Sequence, residues 1–256
     1  MWDLAVREAD YKAVDAMLQR YQGAPLSMRA LPLYARRDSA GIAKLLDEAR
    51  VLDARQSQIA ARYVATFLHD FGAATELARL DLQPRRNASI RLGAQTFLAW
   101  LDVARNDWGA AKLKFDEAEQ MDGGSVVGPE RALAATLPFI DVPRTDVETV
   151  RRSIDGWNTS EPATAAPSLT STLRPQYRLY LLGLLSSRLG DDRRAATYAR
   201  DLEKAAVPPE ARSAVAGLAA TVRANIAFRG GRFAEALHEL EGANGQLPVE
   251  IGRAHV

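Results

Sequence analysis

The sequence predicts an all-α solenoid of about seven antiparallel helical hairpins, and three observations carry that expectation. Apolar residues recur at three- and four-residue spacings along most of the chain, the period of one helix face. No segment alternates apolar and polar residues long enough to make a strand. The starts of successive second helices fall near residues 11, 40, 71, 108, 147, 192 and 233, in steps averaging about 37 residues. That step lies inside the range of two-helix repeats. A lone hairpin cannot bury its own apolar stripe, so each one needs neighbours of the same kind.

In hairpin one, the short stretch Trp2–Ala9 precedes a helix from Tyr11 that carries Val14, Met17, Leu18 and Tyr21. Its first helix is short enough to imply missing turns upstream. Hairpin two spans Pro25–Leu52, with Asp38 or Ser39 as N-cap and Ile42, Leu45, Leu46 and Ala49 as its buried face. Pro32 predicts a kink or an early break there. Hairpin three joins a long helix, Gln56–Phe71, to a shorter mate, Gly72–Leu82, closed by Pro84.

Hairpin four has the plainest signal. Asn87 and Ser89 open its first helix, Asn106-Asp107 make the turn, and glycines stop the second helix near Gly124. Trp108, Ala111, Phe115, Ala118 and Met121 are spaced 3, 4, 3 and 3, one stripe of a helix. Hairpin five begins at Pro129 with Leu133, Leu137 and Ile140, and Pro138 and Pro143 predict a break in its middle. Thr145-Asp146-Val147-Glu148 reads as a capping box opening its second helix. The Ser/Thr/Ala/Pro-rich stretch 157–173 predicts a mobile loop whose hydroxyls are open to phosphorylation. Hairpin six, Pro175–Ala206, turns at Gly190-Asp191, and hairpin seven, Pro208–Gly245, turns at Gly230-Gly231.

Composition limits the function classes. With 33 basic and 32 acidic residues the formal charge is +1, without the basic excess of a nucleic-acid binder. The arginine pairs at 36–37, 85–86, 151–152 and 193–194 sit in turns or beside acids and read as solvated surface. Absence of cysteine excludes disulfides, thiolate catalysis and cysteine-ligated zinc. The longest apolar runs, such as Leu179–Leu185, are too short to span a bilayer, so no membrane insertion is expected. Charge and cysteine usage suit cytoplasm and periplasm alike, with the cytoplasm favoured.

Chemistry-bearing motifs are sparse. His69 and His238 have no second histidine at metal-ligand spacing. Gly190-Asp191-Asp192-Arg193 places its acids where a helix needs an N-cap and negative charge. Gly123–Gly128 lacks the lysine of a phosphate loop and reads as a connector. We assign no catalytic residue, cofactor or metal. Ile251–Val256, IGRAHV, matches the in-frame translation of a common DNA-sequencing adapter and is set aside as an artefactual tail, which removes His255 from consideration. With the short first hairpin, this implies a gene fragment, with residues 1–250 forming the array.

Residue by residue, the hairpins resemble tetratricopeptide repeats (TPR). Hairpin four places Leu98-Ala99 in the Leu-Gly slots, Ala111 and Phe115 in the Ala and Phe slots, and Ala118 at the next small position. Gln95, Asp102 and Gly123 depart from the large, aromatic and proline slots. Hairpin seven offers Ala224, Ala236, Leu240, Ala243 and Pro248; hairpin six offers Gly183 and Ala195, with Ala199 for the aromatic; hairpin three keeps Phe71 and Ala74. The whole also resembles the degenerate repeat regions of bacterial serine/threonine protein kinases and large transcriptional activators. No kinase motif is present in this chain.

The resemblance implies a right-handed TPR-like solenoid that binds a peptide or protein segment on its concave face without catalysis. It implies the sensor or recruitment part of a larger bacterial signalling protein, with a kinase or DNA-binding domain covalently linked upstream. First helices line the concave face in that family, which selects Gln56, Tyr63, Trp100, Tyr177, Tyr180, Asn225 and Arg229 as the partner-binding groove. The competing classes are an all-α enzyme with its site inside the superhelix, which would need clustered inward acids or histidines, and a purely architectural or self-associating module.

Overall fold

A helix reverses direction over two or three residues only if its last carbonyls and the next helix's first amides are both satisfied in the turn. Four short turns here do this in one way. Arg37, Asn106, Gly190 and Gly231 adopt positive φ, between +54° and +82°. The next residue's amide (Asp38, Asp107, Asp191 or Arg232) reaches back five residues to Leu33, Asp102, Ser186 or Ala227 at 2.9–3.0 Å. Where that residue is aspartate, its carboxylate also accepts the amide three residues on: Gly41, Ala110 and Arg194. Asp70, after His69 at φ +53°, caps Ala73 in the same manner.

The computed structural model describes residues 10–21, 24–51, 56–122, 126–160 and 173–243. The chain is all-helical, with no strand among the described residues. It divides into two units between Asp122 and Gly123. The first holds α1 (Tyr11–Arg20), α2 (Leu26–Ala35), α3 (Ser39–Val51), α4 (Gln56–Leu68), α5 (Phe71–Arg79), a 3-10 turn (Leu80–Leu82), α6 (Ala88–Ala104) and α7 (Trp108–Asp122). The second holds α8 (Val127–Ala134), α9 (Arg144–Asp155), α10 (Arg174–Arg188), α11 (Asp192–Lys204), a 3-10 turn (Pro209–Ala211), α12 (Arg212–Arg229) and α13 (Phe233–Ala243).

Helices pack mainly against chain neighbours. In the first unit α2 meets α3 and α4, α4 meets α5 and α6, and α6 meets α7. In the second, α8 meets α9 and α10, α10 meets α11 and α12, and α12 meets α13. Small residues let the helices approach. Ala99, Ala111, Ala118, Ala195 and Ala199 are buried, and a Cβ on Gly183 of α10 would stand 2.9 Å from Val222 of α12. The stripe of α7 buries Trp108, Ala111, Phe115 and Ala118.

Several expectations need correction. Met121 is 42% exposed, because it lies in the last turn of α7, past the level where Gln95 of α6 donates to Glu117. Tyr21 follows the end of α1 and is also exposed. Helix α2 runs through Pro32, which removes one N–H, and ends three residues later. Phe71 begins α5 rather than ending α4. The capping box is absent: α9 starts at Arg144, with the Pro143 carbonyl accepting from Asp146 and Val147. Glu148 instead accepts from Arg144 Nε at 3.0 Å. Of the 157–173 loop, residues 161–172 lie outside the described residues, while Leu173 is buried and Arg174 stacks 5.2 Å from the Trp157 ring. The stretches 1–9 and 244–256 also lie outside the described residues.

Buried polar residues tie unit one together. Ser57 Oγ donates to Asp81 Oδ1 at 2.6 Å, and Arg86 Nε stands 3.5 Å from the same oxygen. Arg86 Nη2 donates to the Ala49 carbonyl at 2.7 Å, so one cluster joins α3, α4 and the 3-10 turn. Gln58 Nε2 reaches the Gly93 carbonyl at 2.8 Å, joining α4 to α6. Asp102 takes both Lys114 and Arg105, and Arg105 donates on to the Phe71 carbonyl at 2.6 Å. Burial, opposed by the Ser57 hydrogen bond and the Arg86 charge, holds the Asp81 carboxyl above its ordinary value of 3.8.

Removing one member of the Asp81–Arg86 pair leaves the other charge buried alone. Arg86→Met should therefore cost about 3–5 kcal/mol in urea unfolding, and adding Asp81→Leu should recover most of it. A folded carboxyl whose pKa is raised contributes stability that is fully present below pH 3.8 and lost as pH rises through the folded value. Asp81→Asn should remove that fall from the stability–pH curve. Positive φ also strains the non-glycine residues, so Arg37→Gly or His69→Gly should raise stability by roughly 0.5–1 kcal/mol despite the greater freedom of the unfolded glycine. Thermal unfolding checks this.

Candidate interaction surface

The seven residues of the expected groove divide between the units. Gln56, Tyr63 and Trp100 lie on α4 and α6; Tyr177, Tyr180, Asn225 and Arg229 lie on α10 and α12. Each set sits on first helices that pack directly on one another, α4 on α6 and α10 on α12.

In unit one, Gln56 opens α4 and its side-chain oxygen accepts from Ser27 Oγ at 3.2 Å. Tyr63, two turns on, packs with Phe67 at 6.0 Å between ring centroids and lies against the small cluster of Val14 and Leu31. Trp100 is half-buried, edge-on to the buried Phe115 ring at 6.3 Å. These rings fill space between helices and keep part of their surface in water.

In unit two, Tyr177 is buried and stacks on Tyr180, with centroids 5.9 Å apart and planes 29° apart. Burial, with the Glu130 charge and Tyr180 adding to it, pushes the Tyr177 phenol well above its ordinary range. Burial pushes Tyr180 up to about 12. Tyr180 is half-buried and bridges two apolar clusters, one around Leu218 and one around Leu184 and Val222. Asn225 accepts from Ser187 Oγ at 2.9 Å, which pins α12 to the end of α10. Arg229 lies one turn further along α12 and is exposed.

Sequence reasoning missed Arg188. Its guanidinium donates to the carbonyls of Leu137 (2.7 Å) and Ile140, fastening α10 to the turn after α8. Burial first, then the neighbouring Arg229 charge, lowers its pKa. Two guanidinium groups thus share the end of the α10–α12 face, one satisfied by backbone oxygens and one in water. No local pattern announces this, because the carbonyls come from residues about fifty positions upstream.

His69 lies in a turn with positive φ and His238 is exposed on α13. Among the described residues, no group of three or more histidine, aspartate or glutamate side chains could hold a metal ion. No helix among them is long and apolar enough to cross a membrane. No protein-family model, curated protein or solved structure matches the chain.

The surface separates packing from presentation. Tyr177→Ala should cost about 3 kcal/mol or more, as for other buried rings. Arg229→Ala, an exposed substitution, should stay within about 0.5 kcal/mol. Urea unfolding of the two variants beside the parent chain checks the contrast, and equal losses would contradict it.

Proposed function

We propose that the chain is a non-enzymatic scaffold that holds an extended or helical protein segment on its first-helix faces, in the manner of a right-handed TPR-like solenoid. The observation that supports this reading is the direct packing of α4 on α6 and of α10 on α12. In each unit, successive first helices therefore form one continuous surface. The same helices carry half-buried aromatic rings and polar groups: Tyr63, Trp100 and Gln56 in unit one, and Tyr180, Asn225 and Arg229 in unit two. Rings already fixed by packing can anchor a ligand with little loss of side-chain freedom, while the amide and guanidinium set its register. Tyr177 has the supporting role, holding the Tyr180 ring by stacking. The resemblance to bacterial kinase-linked and activator-linked repeats extends the proposal to a sensor or recruitment part of a larger signalling protein.

Selection of a phage-displayed random peptide library on the folded 256-residue chain tests the proposal. The expected result is an enriched sequence family. Its binding should fall about tenfold or more with Arg229→Glu or Trp100→Ala, while the circular dichroism spectrum is retained. Absence of enrichment, or enriched peptides indifferent to both substitutions, would sink the groove assignment.

A further inference from the structure

We draw no further inference here: the strongest candidate, the exposed apolar side of α13 at Phe233, Leu237 and Leu240 in unit two, carries nothing because nothing in the structure shows what covers it.

Discussion

The structure depends on one constraint: a helix must stop and its partner must start within two or three residues. The left-handed residue ends the first helix by letting the following amide reach a carbonyl five residues back. An aspartate in that following position then uses its side chain to begin the next helix. Two helices joined this way have little choice except to lie antiparallel and adjacent. Their facing stripes, alanine-rich at Ala99, Ala111 and Ala118 in one hairpin and at Ala195 and Ala199 in another, can then close to short range. Stacking of hairpins follows, because the larger residues left over, such as Phe115 and Leu184, need a surface to cover them.

Where a hairpin departs from the repeat pattern, polar clusters take over the task of register. Asp102 occupies a slot that the resemblance assigns to an aromatic ring, and it draws Lys114 and Arg105 onto itself. Arg105 then reaches α5, so a departure within one hairpin becomes a tie to the previous one. Gln95, in the slot for a large residue, donates to Glu117 across the same hairpin. Apolar packing tolerates small slides along a stripe, whereas a buried hydrogen bond loses its partner on sliding. Degenerate repeats with buried polar pairs can thus be as well defined as regular ones, at a cost in desolvation that the raised Asp81 carboxyl makes visible.

Most of the helices were legible because their signals are local. The second-helix starts near 71, 108, 192 and 233 coincide with the structure, since the turn residues act within their own segment: Asp70 and Asp107 cap with their carboxylates, and Gly190 and Gly231 supply the positive φ. Errors arose where a longer-range effect competes with a local motif. Thr145 and Glu148 have capping-box spacing, yet Pro143 opens the helix sooner and places Thr145 inside the first turn. Met121 continues a periodic stripe beyond the point where a neighbour covers it. The seven residues of the expected groove do lie on helices, Gln56–Leu68, Ala88–Ala104, Arg174–Arg188 and Arg212–Arg229. The stacking of Tyr177 on Tyr180, which makes one a support and the other a partly open ring, was not legible in the sequence. Neither was Arg188, whose partners lie about fifty residues away.

This separation of roles bears on what the two faces of unit two can do. On the first-helix face, burial is shared: Tyr180 gives part of its ring to each of two clusters and keeps the rest in water. Such a surface is already stable without a ligand and gains from one only by adding contacts to fixed rings, which suits selective and reversible capture. Helix α13 is different, because Phe233 and Leu237 expose most of their apolar surface. Exposed apolar stripes of that kind are stabilised by almost any matching helix, so shape alone gives poor discrimination.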